Sequence, residues 1–335
     1  MNASPAPKRI AVVGGGGFIG RHLVARLADR GATVQVVGLS GPGSRGNVDW
    51  TPCDVRDVAG LRGAFEGMDL VYNLAAAHGL NTHASEVYHQ VNVEGARSVC
   101  AAASVCGVRQ LIFTSTADVY GEGPLFDESM PTRPLADYGR TKVEAEAVYR
   151  SWAGESAGRS LVVVRPTVVF GPGGEGAADR FIRHVAGPDF THYGEAGNRR
   201  SMAYVDNLAE FLAFVADHMH GIRTFNYADV PDLTVAEIVS IVRSAVGLAP
   251  APQRSLAGAY ATTLGASLKA RLVGGPRRPA PAVRGMIRQL SLKRRLDASL
   301  AHATGFIPPV ALREALAITA RADVRWVAFL SRARA

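Results

Sequence analysis

The stretch AVVGGGGFIG, residues 11–20, constrains the fold of this chain more than any other. A short apolar run, Arg9–Val13, ends in glycine. His22–Asp29 follows, with Leu23, Val24 and Leu27 at helical spacing, and Gly31 stops it. Strand, glycine turn and helix in that order are the context that a phosphate-binding glycine motif requires. Gly14, Gly17 and Gly20 stand at GxxGxxG spacing. Gly14 permits the tight turn, Gly17 lets the backbone approach a pyrophosphate, and Gly20 lets the helix pack closely on the sheet. The free N–H groups of the helix start then meet the phosphate.

The same alternation continues downstream. Thr33–Val37, Leu70–Leu74, Leu111–Thr114 and Leu161–Val164 read as strands, and Gln90–Cys106 as a small-residue helix closed by Gly107. Strands separated by helix-length pieces predict an α/β protein with a Rossmann-type, doubly wound parallel sheet. Residues 1–170 are expected to form the dinucleotide-binding domain, which also receives pieces from about 200–227. After Phe170 the chain is richer in Gly and Pro, and residues 171–335 read as a smaller substrate-binding domain. With 335 residues, 47% hydrophobic and 20% charged, the chain is expected to be globular rather than disordered. No apolar run is long enough to predict a membrane-spanning helix. The start MNASPAPKR lacks the pattern of a secretory signal. Cys53, Cys100 and Cys106 give neither a disulfide framework nor a zinc spacing. A cytoplasmic location is the expectation.

Chemistry enters with DYGRTKVEAEAVYR, residues 137–150, which reads as a helix. Tyr138 and Lys142 stand four apart and share a face. A cation beside a phenol favours phenolate, which predicts a Tyr138 pKa lowered toward neutrality and a role in proton transfer. Thr116, in FTSTADVYG, lies upstream of this pair. At the end of the second strand an acid would bind a ribose 2′-hydroxyl, but VVGLSGPGSR has Gly38 there. Ser40, Ser44 and Arg45 follow and suit a 2′-phosphate, so NAD and NADP both remain open. Asp54 in CDVRD is placed either to bond an adenine amine or to cap the next helix.

With VVGGGGFIG, DLVYNLAA, VNVEGA, FTSTADVYG, YGRTK, RPTVVFGPG, RRSMAYVDN and ATGFIPP in place, the chain resembles the extended short-chain dehydrogenase/reductase family. That family holds NAD-dependent nucleotide-sugar epimerases and dehydratases, and the resemblance runs from about Ile10 to about Trp326. It implies Tyr138 as acid/base, Lys142 as its tuner and ribose anchor, and Thr116 as partner of the reacting hydroxyl. Bound NAD is implied, held by Gly14, Gly17, Phe18, Ile19, Gly20, Ser40, Arg45, Asp54 and Val55. Leu74, Ala75, Ala76, Asn92 and Pro166 complete that set, with Asn73 near it. The resemblance places His78, Ala117, Thr167 and Arg200 against the substrate, with Arg200 on its diphosphate and Arg199 able to substitute. Dehydratases carry Asp then Glu after the Thr. Here Ala117 and Asp118 follow Thr116, which disfavours water loss and leaves epimerisation or reduction at a ring carbon. SLVVVRPTVVFGPGGEG, GNRRSMAYVDNLAEFL and FNYADVPDLTVAEIV are similar to bacterial 4-epimerases that act on N-acetylglucosamine carried by a polyprenyl diphosphate. A homodimer is implied as well.

The net charge is +8, and it is concentrated. From Ile238 through Leu296 there is no Asp or Glu, while 11 Lys and Arg are present. Such a block predicts a polyanionic neighbour. A lipid diphosphate lies at an anionic bilayer, and the amphipathic stretch Leu256–Val273 is expected to rest there peripherally. No aromatic platform is interleaved, which argues against nucleic acid. His78, His83 and His89 lack a ligand spacing, and no metal is expected.

Overall fold

The computed structural model describes residues 8–78, 84–193, 197–254 and 295–333. Leu256–Val273, most of the acid-free basic segment and His83 lie outside the described residues. The chain divides into two compact units. The first takes the described chain up to Val169, then Ala203–Asp229 and Leu296–Val310. The second takes Phe170–Met202 and the described parts of Val230–Arg295 and Ala311–Ala335.

The first unit is built on a seven-stranded parallel sheet. Its strands are β1 (Arg9–Val13), β2 (Thr33–Gly38), β3 (Val48–Pro52), β4 (Leu70–Asn73), β5 (Gln110–Thr114), β7 (Ser160–Pro166) and β11 (Ile222–Tyr227). Their order is β11-β7-β5-β4-β1-β2-β3, with parallel register throughout. The order reverses at β1, between β2 and β4, the point at which doubly wound sheets bind ligands beyond their strand ends.

Alternation along the strands feeds two separate cores. Ile10, Val12, Val34, Val36 and Tyr72 face α1 (Phe18–Asp29) and α7 (Val205–His218), against Leu23, Leu27, Leu208, Phe211 and Leu212. Ala11, Val13, Val37, Val71, Leu111 and Phe113 face the opposite layer. That layer is α2 (Val58–Phe65), α4 (Gly95–Val105) and α5 (Asp137–Gly154), which contribute Leu61, Phe65, Val99, Tyr149 and Trp152. Central strands buried on both faces explain the unbroken apolar runs of the sequence. β3 escapes the sequence reading because its alternation is short: only Val48 and Trp50 face the core, with Asp49 and Thr51 between and after them. As an edge strand it pairs with β2 alone, and it tolerates Pro52 at its end.

The expected helix Gln90–Cys106 is two pieces, a π-helical turn over Gln90–Glu94 and α4, and α3 (Ser85–His89) runs directly into it. The remaining elements are short strands and helices. β6 (Leu125–Phe126) pairs with β14 (Arg295–Leu296), β8 (Val169–Phe170) joins β10 (Arg199–Tyr204) and β12 (Asp229–Thr234), and β9 (His192–Tyr193) pairs with β13 (Gln253–Arg254). In the second unit α6 (Ala177–Val185), α8 (Val235–Ala245) and α10 (Leu312–Ala333) pack together, while α9 (Ser299–His302) returns to the first unit. Thr234 and Glu237 form a reciprocal cap on α8.

Two charges of the basic segment are structural. Arg243 is buried and donates to the carbonyls of Ala249, Val185 and Gly187 at 2.6, 3.2 and 3.0 Å. Arg295 pairs with Asp232 at 2.5 Å. Neither is a spare surface cation, because each answers a polar group of the fold itself. No described helix is long and apolar enough to cross a membrane.

Candidate active site

The glycine turn is held by backbone on both sides. Gly14 has φ 78° and donates its N–H to the Val37 carbonyl at 2.7 Å. A Cβ there would lie 2.5 Å from the Ala75 nitrogen. Gly16, which the three-glycine spacing passes over, is as constrained. Its Cβ would lie 2.6 Å from the Ser40 carbonyl carbon and overlap the carbonyl oxygen. Gly17 is different: it is exposed, and a Cβ there would meet only the Gly14 oxygen, at 3.2 Å. The turn is thus closed toward the protein at Gly14 and Gly16 and open at Gly17. α1 begins at Phe18 with no side-chain cap and no acid in its first turn. Uncapped N–H groups and a glycine cradle fit a dinucleotide pyrophosphate. Phe18 and Ile19 are half-buried, Ile19 against the core, and Gly20 is buried.

The strand ends bring the other expected residues to this turn. Leu74 N–H donates to the Val13 carbonyl at 2.8 Å, and Ala75 N–H to Asn73 Oδ1 at 3.0 Å. Ala76 is half-buried. Beyond β2, Trp50 donates its indole N–H to the Gly38 carbonyl at 3.2 Å, and its backbone N–H to Ser44 Oγ at 3.2 Å. Arg45 is exposed on a tight turn whose backbone pairs with Val48. Asp54 is engaged by Arg56, whose guanidinium reaches it at 2.7 and 2.9 Å and holds its carboxyl below the usual range. It does not cap α2. Asp57 does, accepting from Ala59 and Gly60 N–H at 3.0 and 3.1 Å. The cap falls at Asp57 because α2 begins at the next residue, Val58. Val55 is buried in the core.

Tyr138 lies in the first turn of α5, and Lys142 one turn on. The Thr116 hydroxyl lies close enough to the Tyr138 phenol to favour its ionised form. The same Thr116 oxygen accepts from Asp118 N–H at 3.1 Å, which caps the short turn Ala117–Val119. Lys142 is buried. Its Nζ donates to the Thr114 carbonyl at 2.7 Å and lies 4.1 Å from the centroid of the Phe113 ring. Burial drives Lys142 down to about 7, against the pull of the Glu146 carboxylate. Burial also raises the Tyr138 phenol above its ordinary value, with Asp118 and Tyr88 acting in the same direction and the Thr116 hydroxyl opposing. The lowered Tyr138 pKa expected from the YxxxK spacing is therefore reversed. Desolvation disfavours both charged forms, and a lysine near neutrality is a weaker cation for the phenol. Tyr88, unmarked in the sequence, is buried with its ring 6.4 Å from that of Tyr138.

Asn92 explains the π turn. Its side-chain oxygen accepts from Ala77 N–H at 2.9 Å. Its amide donates to the Ala77 carbonyl at 3.1 Å and to Thr141 Oγ1 at 2.9 Å. Thr141 in turn donates to the Asp137 or Tyr138 carbonyl, both at 3.0 Å. One inserted turn residue thus braces the β4 exit against the helix that carries Tyr138. Ala117 is buried and His78 exposed. Pro166 is buried at the end of β7, and Thr167 N–H donates to the Tyr227 carbonyl at 3.0 Å.

In the second unit, Arg200 lies on β10. It is half-buried, and burial alone lowers its pKa; no acid offsets that cost among the described residues. Arg199 donates to the Asp232 carbonyl at 2.7 Å. That bond ties Arg199 to the fold. Among the described residues no group of His, Cys, Asp and Glu could hold a metal ion.

This arrangement matches known proteins along most of the chain. The family model for the NAD dependent epimerase/dehydratase family matches residues 10–228. The chain belongs to that family. Within it, the chain is 32% identical to the N-acetyl-α-D-glucosaminyl-diphospho-ditrans,octacis-undecaprenol 4-epimerase of Escherichia coli O157:H7, over 92% of each chain. It is 29% identical to the 2-alkyl-3-oxoalkanoate reductase of Stenotrophomonas maltophilia, over 92% of this chain and 97% of that protein. The solved UDP-glucose 4-epimerase of Thermus thermophilus, a complex with NAD, superposes with a TM-score of 0.71. It is 28% identical, and the match covers 94% of this chain and 99% of the other.

Proposed function

We propose that the protein is an NAD-dependent 4-epimerase of a diphosphate-linked N-acetylhexosamine, with a polyprenyl chain as the carrier. The observation that carries this reading is the proton-transfer set on one short frame: a phenol whose ionised form the Thr116 hydroxyl favours, with Lys142 on the next turn of the same helix. The similarity to the lipid-diphosphate 4-epimerase, over 92% of each chain, supports the substrate class. Arg200 supports the diphosphate, because a desolvated guanidinium favours an anion that binds it in pairs.

The glycine turn fits NAD, since Gly14 and Gly16 close it by packing while Gly17 leaves the pyrophosphate side open. Bound there, NAD would supply a reversible hydride acceptor for carbon 4. Tyr138 removes the proton of the 4-hydroxyl and later returns it, while Thr116 orients that oxygen. With its phenol raised, Tyr138 must lose its proton before it can act as base, and Lys142, together with bound NAD, would supply the positive charge that favours the phenolate. Arg200 holds the diphosphate through both half-reactions. Peripheral membrane contact and a homodimer belong to the same reading.

The test is to incubate the purified protein with polyprenyl-diphosphate N-acetylglucosamine and, separately, with UDP-N-acetylglucosamine, and to resolve the C4 epimers. Appearance of the galacto epimer on the lipid carrier is the expected result. No epimer on either carrier refutes the reading. A second reading, a net reductase using NADPH, is favoured by Gly38 in place of an acid and by exposed Arg45. Denaturing the protein and identifying the dinucleotide it releases separates the two: tightly held NAD for the epimerase, an empty site for the reductase.

A further inference from the structure

Beneath Lys142 lies a buried ion pair that proton transfer does not use. Glu146, one turn beyond Lys142 on α5, is 4% exposed, and Arg165 on β7 is 6% exposed. Glu146 Oε1 accepts from Arg165 Nε at 2.9 Å and Oε2 from Arg165 Nη2 at 2.6 Å. Oε1 also accepts from Ser115 Oγ at 2.6 Å. Arg165 Nη1 continues to Tyr120 Oη at 2.8 Å, and Tyr120 Oη donates to Asn226 Oδ1 at 2.7 Å. The other charges near Glu146 are Lys142 and Arg150 on its own helix, the latter at 3.6 Å.

Stability is a poor reason for such a pair. Desolvation costs several kcal/mol per ion, and apolar residues of equal volume are often as stable. What a bidentate pair supplies is direction. It joins α5 to β7 and, through Ser115, to the end of β5. Ser115 itself is anchored by its N–H to the Val164 carbonyl at 2.7 Å. The next residue is Thr116, whose hydroxyl meets Tyr138 two turns upstream of Glu146 on α5.

We propose that Glu146 is a positioning residue: through the Ser115 hydroxyl it holds the Thr116 hydroxyl against the Tyr138 phenol carried by its own helix. The inference deepens the proposed 4-epimerase and rests on it for its kinetic arm. The negative charge of Glu146 also favours the ammonium form of Lys142.

Ser115→Ala removes the link without leaving a buried charge. We expect its kcat to fall about 10-fold with the KM for the sugar unchanged, as when an oriented group is slightly misplaced. Ser115→Thr, which restores a hydroxyl, should recover most of that loss. Glu146→Gln should lower kcat further, and adding Ser115→Ala to it should cost nothing more, since both act through one bond. A substrate-free readout runs beside these: the resonance of the isotopically labelled phenol carbon of Tyr138, assigned with Tyr138→Phe. It should move in Ser115→Ala while that of Tyr72 stays fixed. A Tyr138 resonance that does not move, or a kcat within about twofold of wild type, overturns the proposal. If the wild type epimerises no sugar diphosphate, the proposed function falls, and the resonance alone still decides whether Glu146 positions the pair. If Glu146→Gln does not fold, the Ser115 variants decide.

Discussion

Gly16→Ala is expected to empty the dinucleotide site while leaving the fold in place. The added methyl would lie 2.6 Å from the Ser40 carbonyl carbon and overlap its oxygen. Both atoms are backbone, so no rotamer change relieves the clash. Carbon atoms in good contact stand about 3.5–4.0 Å apart, so the turn and the loop after β2 must separate by roughly 1 Å. Overpacking of this kind costs about 1–3 kcal/mol. If the turn moves to relieve it, dinucleotide affinity falls by about 10- to 100-fold, one decade per 1.4 kcal/mol. Gly63→Ala is the control, because a Cβ there meets no atom within 4 Å. NAD is titrated calorimetrically into protein freed of nucleotide, with thermal unfolding measured alongside. An affinity within about twofold of wild type would show that the Gly16–Ser40 approach does not shape the site, and the argument from backbone contact would be wrong.

Four further outcomes are expected. Tyr138→Phe should fold and bind cofactor yet lose nearly all turnover, because it loses only the phenol oxygen; a near-normal kcat would remove Tyr138 from the reaction. Cofactor-free protein should gain stability as pH rises from about 7 toward 10.5, since the unfolded chain binds the Lys142 proton over that window and the folded one does not. Lys142→Met should flatten that rise in Tm, and an unchanged slope would contradict it. Arg200→Gln should raise KM for a sugar diphosphate about 10- to 100-fold with kcat nearly kept, as loss of a charge-assisted hydrogen bond predicts, and an equal fall in kcat would point elsewhere. Salt-sensitive binding to anionic liposomes is expected and should weaken in a variant with Arg277, Arg278, Arg284 and Arg288 changed to Gln; indifference to these charges would sever the basic segment from the membrane.

Much of the first unit was legible because its physics is local. An apolar run, a glycine turn and a helical period are set by neighbours in sequence, and β1, α1, β4, β5 and β7 appear where those patterns stand. β3 was not legible, because two apolar residues, Val48 and Trp50, alternating over so short an edge strand are too weak a signal. Tyr138 and Lys142 were found by spacing, but the direction of the phenol's shift was not. It depends on how deeply Lys142 and Tyr138 are desolvated, which only packing decides. Gly16 was hidden for a related reason: the atom that excludes a side chain there belongs to Ser40, on a different strand exit. Ser115, Glu146 and Arg165 are distant in sequence, and nothing before folding announces their meeting.

The late return of the chain to the first unit bears on how the protein is made. Asn207 exchanges hydrogen bonds with the Val310 backbone at 2.7 and 3.1 Å, and Asn226 donates to the Asp297 carbonyl at 3.1 Å. Phe306 packs its ring 5.2 Å from that of Phe211. A nascent chain that has just completed β11 still lacks these partners, so Asn207 waits without them and Phe211 without its cover. Residues 296–310 leave the ribosome well after β11, so the nucleotide unit cannot close until they have emerged. A fragment cut after residue 229 would keep every strand of the sheet and still be a folding intermediate rather than a domain, with its last seam open to chaperones.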